Sequence, residues 1–242
     1  MLQGDFKVNW ISLIPLRAGS KSVPNKNIRS VHGKPLYKYT VDYALDTGAR
    51  HIYISTDIEE ILSSPKKKNI TITRRDDSLC ADDTPMSAVI LDFLQSKEGQ
   101  RIEKNETIVL LQATSPLRQK KDLLAALEQF EKATMMDLMM AVTRADNHAL
   151  KYGFVTNGTF KHVSDPNLCF ENRQNLPTLF RPTGAFYIFK AGWYLKNKNL
   201  ATSATGAYEI AQDHSLDIDS MSDLKQFEDI IKKERHKIED CR

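Results

Sequence analysis

The residues best suited to chemistry stand near the beginning of the chain, in a loop rich in cations and hydroxyls. An apolar run at 8–14 is followed by Arg17, Ser20 and Lys21, and the polar stretch ends at Asn27. A glycine between the two cations lets backbone amides approach an anion, while arginine grips phosphate oxygens with a planar fork and lysine adds a compact charge. This combination suits a polyphosphate, and the alternative is an ordinary basic surface loop. The spacing matches neither G-x-x-x-x-G-K-[ST] nor G-x-G-x-x-G, which argues against a P-loop kinase and a dinucleotide dehydrogenase.

A second set of residues, near the end of the chain, suits a metal ion. Asp217 and Asp219 alternate with apolar residues, a pattern typical of a strand with both carboxylates on one side. Two such charges about 6.6 Å apart repel by roughly 2.5 kcal/mol at an effective dielectric constant of about 20. A divalent cation removes that cost, and Mg²⁺ prefers carboxylate, water and phosphate oxygens. The alternative is a solvated strand end with two exposed aspartates.

Two further polar segments border predicted helices. The apolar run at 107–111 is followed by an amide and two hydroxyls, namely Gln112, Thr114 and Ser115. Either the two hydroxyls bind a substrate, or they cap the helix that begins near Lys120. We expect Asp83 and Thr84 to cap a helix that begins at Pro85. For Arg118 we expect only a surface ion pair, and we leave it out of the predicted site.

The elements that must position these residues alternate along the chain. Apolar runs typical of strands occur at 8–14, 51–55, 70–73, 107–111 and 138–143. Between and after them lie segments with helical patterning, which begin at Pro35, at Pro85, near Lys120 and at Met221. The alternation predicts a parallel α/β sheet with right-handed crossovers. Since open α/β sheets bind ligands at the carboxyl ends of their strands, we expect the polar loops to share one edge.

From 147 to 183 this alternation weakens. A hairpin turn is predicted at Asn157-Gly158, and a loop-rich stretch with two prolines follows. The pattern is typical of an inserted arm.

Composition limits the class of protein. With 242 residues, the chain can form one domain without disulfides or metals. Its 34 Lys and Arg against 31 Asp and Glu argue against a nucleic-acid coat or a membrane-surface protein. The lysine runs at 66–68 and 232–235 are expected on the solvated surface. Three distant cysteines and the lack of a leader or a long apolar run predict a cytoplasmic protein without a zinc site.

In the order of its motifs the chain resembles the CMP-sugar synthetases, and most closely the acylneuraminate cytidylyltransferases. The resemblance rests on the segments at 11–36, 75–84, 110–118 and 172–188 and on the D-x-D at 217–219, before the last predicted helix. It extends from residue 11 to about residue 227. The sequence departs from the family in the acceptor region, where Thr183 replaces an asparagine and Phe180 a tyrosine.

The resemblance implies a Rossmann-like three-layer fold with helices on both faces of the sheet. It implies that the arm, at about 147–183, packs on a second subunit in a homodimer and contributes to its sugar pocket. It also assigns residues to CTP, namely Arg17, Ser20, Lys21, Asn27 and Arg75, with Arg17 and Lys21 steadying the phosphates. It assigns Mg²⁺ to Asp217 and Asp219. It assigns the acceptor to Gln112, with Thr114 and Ser115 beside it. Lys151 and Arg173 either bind the acceptor carboxylate or form salt bridges within the arm.

The reaction implied is attack by the anomeric hydroxyl of a nonulosonic, sialic-type acid on the α-phosphate of CTP, which releases pyrophosphate. Two alternatives stay open at this point. In the first, the acceptor is a shorter acid, such as 3-deoxy-manno-octulosonic acid. In the second, the chain is a non-catalytic nucleotide-binding module. The sequence names no general base, and neither nucleic acid nor membrane is expected as a partner.

Overall fold

The computed structural model describes residues 8–240, with side chains described as far as Lys233. The strands are β1 Trp10–Leu16, β2 Ser30–Val31, β3 Lys34–Pro35, β4 His51–Thr56, β5 Ile70–Arg74, β6 Thr107–Leu110, β7 Leu138–Ala145, β8 Gly153–Thr156, β9 Thr159–His162, β10 Leu179–Lys190 and β11 Thr205–Glu209. The helices are α1 Leu36–Thr47, α2 Glu59–Leu62, α3 Met86–Gln95, α4 Lys120–Lys132, α5 Ala191–Asn197 and α6 Met221–Asp240. Short 3₁₀ turns occupy several of the loops between them. None of the helices within residues 8–240 combines the length and apolar character needed to cross a bilayer.

Seven of these strands form one sheet in the order β11-β7-β10-β6-β1-β4-β5. All five strands predicted from apolar runs are present, with ends shifted by up to two residues. Within this sheet, the strands that the sequence analysis missed are β10 and β11. Whereas β1, β4, β5 and β6 pair in parallel, β10 runs antiparallel to both β6 and β7. The chain reaches β10 through the arm instead of through a crossover helix, so nothing requires that strand to be parallel.

Helices cover both faces of the sheet, as expected. Trp10, Ile14 and Leu16 of β1 pack on one face with α1 and α4. The alternate residues Ile11 and Leu13 pack on the opposite face with α3 and α5. Because both faces of β1 are buried, all its residues except Ser12 are apolar, and the strand lacks the alternating pattern of a half-exposed one. A third cluster joins α6 to the segment between β1 and α1.

The ends of the helices determine where the polar loops begin and end. Helix α1 follows Pro35 and ends at Gly48, whose φ of 93° is left-handed and whose N–H bonds the carbonyls of Ala44 and Leu45. Helices α3 and α4 begin after Pro85 and Gln119, and no side chain caps either N-terminus. The predicted caps by Asp83 and Thr84 are therefore wrong, and of the two alternatives for Thr114 and Ser115 the helix cap is excluded. The hydroxyls at 114 and 115 are turned away from α4 because they bind other groups, described below.

Of the segment at 147–183, residues 147–178 lie between β7 and β10, whereas residues 179–183 are the first part of β10. That this segment packs on a second subunit stays a prediction. Its hairpin β8–β9 turns at Asn157 and Gly158, with φ values of 51° and 76°. Two positive φ angles in a two-residue loop are typical of a type I′ turn, which confirms that prediction.

Candidate active site

Four loops meet at the carboxyl edge of the sheet, because β1, β4, β5 and β6 are parallel neighbours. These loops carry Arg17 to Asn27, Asp57, Arg75 to Thr84, and Gln112 to Arg118. The polar segments that the sequence analysis singled out thus lie at one edge. This is the position at which open α/β sheets bind ligands.

The two cations of the first loop converge on one carboxylate. Arg17 Nη1 lies 2.6 Å from Asp82 Oδ1, and Lys21 Nζ lies 2.6 Å from Asp82 Oδ2. The hydrogen bonds from Lys21 and then Arg17 hold the pKa of Asp82 below its ordinary value. Ser20 lies between the cations and is half-buried. The loop is therefore shaped so that its guanidinium and ammonium groups grip a single anion from two sides.

Two residues predicted to contact a nucleotide brace the loops in this structure. Asn27 donates its side-chain amide to the carbonyl of Arg17 at 2.8 Å, which closes the first loop on itself. Arg75 is only 3% exposed, and its Nη2 donates to the carbonyl of Ser55 at 3.0 Å. Burial lowers the pKa of this guanidinium. Their contacts with a nucleotide stay predictions.

The segment that carries Asp217 and Asp219 is not a strand, so that prediction is wrong. It is an irregular stretch between a 3₁₀ turn and α6. Its backbone groups bind loops instead of a neighbouring strand: Ile218 donates its N–H to the carbonyl of Thr114 at 2.8 Å and accepts from Lys26 Nζ at 2.7 Å. The two carboxylates therefore have different surroundings.

Asp217 is the more buried of the two aspartates. Its Oδ1 is buried and has no hydrogen-bond partner among the described residues, whereas the side chain of Asp219 is 77% exposed. Burial raises the pKa of Asp217, a hydrogen bond from Thr114 opposes that shift, and the charge of Asp219 adds to it. A buried carboxylate oxygen without a donor fits a cation, since a metal ion satisfies it as a hydrogen bond would. The pair thus suits Mg²⁺, which takes one or two carboxylates and completes its shell with water and phosphate oxygens.

Lys26 is a site residue that the sequence analysis missed. Its side chain is 11% exposed, and Nζ lies 3.3 Å from Asp219 Oδ1 as well as bonding Ile218. It thereby ties the first loop to the aspartate segment. The only sequence signal was its place in the polar stretch that ends at Asn27, and nothing in the spacing shows that two segments 192 residues apart meet.

Arg118 is buried, so the predicted surface ion pair is wrong. It is 7% exposed and donates to the carbonyls of Gln112 and Ala185 and, at 3.0 Å, to Thr40 Oγ1. Its guanidinium also lies 5.6 Å from the centre of the Tyr43 ring. The interior supplies neutral oxygens for every one of these bonds, which a sequence cannot reveal.

The residues predicted to bind the acceptor, Gln112, Thr114 and Ser115, follow β6 and lie beside β10. Gly184 has a φ of 72°, and a Cβ at this position would lie 2.3 Å from Gln112 Oε1. Ser115 Oγ donates to the carbonyl of Thr183 at 3.3 Å, and Thr183 Oγ1 donates to the carbonyl of Ala141 at 3.2 Å. Thr183 is 2% exposed, so the residue that departs from the family is fixed in the sheet.

Lys151 and Arg173, the two cations of the arm in the predicted site, have different surroundings. Lys151 donates Nζ to the carbonyl of Glu171, a bond within the arm that is not an ion pair. Arg173 is exposed in a cleft that Asp146, Asn147 and Leu176 also line. Their contacts with an acceptor carboxylate stay predictions.

Cys80 lies beside the first loop, but its thiol is not activated as a nucleophile. Burial raises the pKa of Cys80 to about 11, which leaves the thiol protonated at neutral pH. Cys80 and Cys169 are both free, whereas Cys241 lies outside the described residues.

Comparison with known families places this arrangement in context. A family model described as cytidylyltransferase matches residues 11–238. N-acylneuraminate cytidylyltransferase of Streptococcus agalactiae serotype III (strain NEM316) is 31% identical over 225 residues, which cover 88% of this chain and 51% of that protein. The chain thus spans about half the length of this streptococcal relative.

Two relatives from Campylobacter jejuni match over nearly their whole length. CMP-N,N'-diacetyllegionaminic acid synthase is 31% identical over 217 residues, with 89% of this chain and 92% of that protein covered. Pseudaminic acid cytidylyltransferase from strain 81-176 is 27% identical over 228 residues, with 93% and 97% covered.

Solved structures confirm the predicted fold class. The structure of CMP:2-keto-3-deoxy-manno-octonic acid synthetase complexed with CTP superposes with a TM-score of 0.66 at 13% identity, covering 94% of this chain and 100% of that one. A 2-C-methyl-D-erythritol 4-phosphate cytidylyltransferase from Francisella tularensis gives a TM-score of 0.63 at 13% identity, covering 90% and 98%.

Proposed function

This chain belongs to the cytidylyltransferase family, and from that premise we propose that it activates a nonulosonic, sialic-type acid with CTP. The products are a CMP-sugar and pyrophosphate. The relatives with matching sequence are named for sialic, legionaminic and pseudaminic acids, which share a nine-carbon 2-keto acid frame.

One observation carries the proposal: anion-binding and cation-binding groups meet at one edge of the sheet. Arg17 and Lys21 converge on a single carboxylate, and Lys26 ties their loop to the segment of Asp217 and Asp219. A nucleoside triphosphate with its divalent cation has the complementary distribution of charge. A site that bound an anion without a metal ion would not require the two aspartates.

The mechanism follows from positioning and charge. Arg17 and Lys21 exchange the Asp82 carboxylate for phosphate oxygens of CTP and steady the charge that develops as pyrophosphate leaves. Asp217 and Asp219 would hold Mg²⁺, which would neutralise phosphate charge. On the β10 side, Gln112 orients the acceptor so that its hydroxyl faces the α-phosphate.

We further infer a homodimer formed through the arm. Of the eleven large apolar side chains exposed among the described residues, seven lie in the arm, namely Tyr152, Phe154, Val155, Phe160, Val163, Phe170 and Phe180. Such a concentration is typical of an interaction surface. A second copy that covers this surface brings Lys151 and Arg173 to the partner's acceptor pocket. The cytoplasm, where thiols stay reduced, is the compartment we propose.

The test is pyrophosphate release by the purified protein with CTP and Mg²⁺. The acceptors are sialic, legionaminic, pseudaminic and 3-deoxy-manno-octulosonic acids, with mass spectrometry of the products. We expect a CMP-sugar from one of the three nine-carbon acids, and loss of release in Asp217→Asn and Asp219→Asn but not in the exposed neighbour Asp213→Asn. Turnover with the octulosonic acid alone overturns the acceptor class, and CTP binding without any turnover favours a non-catalytic module.

A further inference from the structure

A buried guanidinium stands behind the acceptor region, and its hydrogen-bond acceptors are all uncharged. The three nitrogens of Arg118 reach three parts of the fold: Nη1 donates to Thr40 Oγ1 in α1, Nη2 to the carbonyl of Gln112 after β6, and Nε to the carbonyl of Ala185 in β10. The side chain is 7% exposed. One planar group thus joins a helix, a loop and a strand.

Stability alone does not explain this residue. A buried charge carries a desolvation cost that neutral acceptors offset only in part, and a well-packed apolar side chain of similar volume is often as stabilising or more so. Burial lowers the pKa of Arg118 to about 10, so the group still carries its charge at neutral pH. The charged fork is therefore present in the working protein.

The two carbonyls that Arg118 binds flank the closest contact of the acceptor region. Gln112 Oε1 lies against the backbone of Gly184, where a Cβ would come within 2.3 Å of it. Arg118 holds the backbone of Gln112 on one side of this contact and that of Ala185, the residue after Gly184, on the other. The guanidinium therefore sets the distance between the Gln112 amide and the β10 turn.

We propose that Arg118 is a positioning residue for the acceptor, which acts by fixing the Gln112 amide over the Gly184 turn. Through Thr40 it also couples this amide to α1, the helix that follows the loop of Arg17 and Lys21. The inference rests on the proposed function, since it concerns the binding of the acid. Lysine cannot replace arginine here, because a single ammonium cannot reach three acceptors in one plane.

The test is Arg118→Lys, assayed for the KM of the acid and the KM of CTP separately. We expect the KM of the acid to rise by about tenfold or more, because a displaced Gln112 amide loses its hydrogen bond to the acid. The KM of CTP should stay within about twofold. The matched control is Arg50→Lys, an arginine that pairs with Glu106 before β4, at the opposite edge of the sheet. We expect both KM values of that control to be unchanged.

A double-mutant cycle separates positioning from a general structural defect. If Arg118 acts through Gln112, then Arg118→Lys with Gln112→Ala raises the KM of the acid no more than the larger single change does. If Arg118→Lys does not fold, Thr40→Val removes one of its acceptors without changing volume, and we expect the same selective rise on a smaller scale.

Three outcomes overturn the inference. These are additive effects in the cycle, equal rises in both KM values, or an unchanged KM of the acid in both Arg118→Lys and Thr40→Val. Wild-type protein is assayed first with every acid. Inactivity of the wild type overturns the proposed function together with this inference. If the wild type is active and the KM of the acid is unchanged in both Arg118→Lys and Thr40→Val, this inference alone is overturned.

Discussion

At the scale of single residues, Gly184 holds a conformation that the acceptor region depends on. Its φ of 72° lies in the left-handed region, and the space where a Cβ would stand is taken by Gln112 Oε1. Gly158 has a similar φ of 76° but nothing within 4 Å of the same position. Alanine variants at the two glycines therefore distinguish the effect of backbone strain from the effect of losing the contact with Gln112.

We expect Gly184→Ala and Gly158→Ala to destabilise the protein by a similar amount, about 1 to 2 kcal/mol, because both force alanine into the left-handed region. Only Gly184→Ala displaces Gln112, so only this variant raises the KM of the acid. Thermal unfolding and steady-state kinetics measure the two effects. Equal KM values in both variants contradict the role of the Gln112 contact.

Keeping the buried Asp217 ionised lowers the stability of the folded protein. Its raised pKa means that the folded protein binds this proton more tightly than the unfolded chain does. The stability it contributes is therefore present below the unfolded pKa, about 4, and is lost as pH rises through the folded pKa. The charges and donors that face it are Thr114, Asp219, Lys26 and Arg118.

We therefore expect Asp217→Asn to have a higher Tm than wild type at pH 7 without Mg²⁺, and the difference to shrink as pH falls towards about 4. Such a gain is typical of a residue retained for function at the expense of stability. The stabilisation of the wild type by CTP and Mg²⁺ should be absent from the variant. Thermal scans across pH test this, with Asp213→Asn as the control; a Tm that falls at pH 7 contradicts it.

At the scale of elements, two loops meet through Asp82. The loop between β1 and α1 supplies Arg17 and Lys21, and the loop between β5 and α3 supplies the carboxylate that occupies them. A triphosphate must replace that carboxylate to reach the same donors. The neighbouring Asp83 is exposed as well and serves as a matched control.

We expect Asp82→Asn to lower the Kd for CTP by about threefold, a modest gain because exposed ion pairs are weak. The gain should decrease at high salt, since salt screens the competing pair. Asp83→Asn should leave the Kd unchanged. Calorimetric titration with CTP in the absence of acid measures this; weaker binding by Asp82→Asn means that Asp82 assists the nucleotide instead of competing with it.

At the scale of the whole molecule, most of the large apolar side chains that are exposed among the described residues lie in the arm. Val155 is 72% exposed and Phe170 is 86% exposed. Outside the arm, Met135 is similarly exposed at 88%, but its apolar neighbours pack into the core. A change of Met135 to a charged residue therefore tests exposure without touching the arm.

We expect Val155→Glu and Phe170→Glu to shift the protein from dimer to monomer, because a charge cannot be buried unpaired in an apolar interface. Light scattering after gel filtration measures the mass, and Met135→Glu should stay dimeric. The monomeric variants should still bind CTP but lose turnover of the acid, since the partner's Lys151 and Arg173 are removed. A monomeric wild type contradicts the dimer at once.

Much of the fold and part of the site could be predicted from the sequence. Apart from Ser12, strand β1 is apolar along its length because both of its faces are buried, and that run predicts a strand in a covered sheet. By contrast, β10 contains Arg181, Pro182 and Gly184, so its pattern predicts no strand. Its partners β6 and β7 lie far from it in the sequence.

The sequence by itself determined the family and the α/β class and predicted the residue types of the candidate site, because these depend on local composition and order. Only the tertiary structure decided that Lys26 joins the aspartate segment, that this segment is irregular and that Arg118 is buried. Each of these depends on which distant backbone carbonyls lie within reach of a side chain. Such contacts arise from packing between segments far apart in the chain, and no local spacing records them.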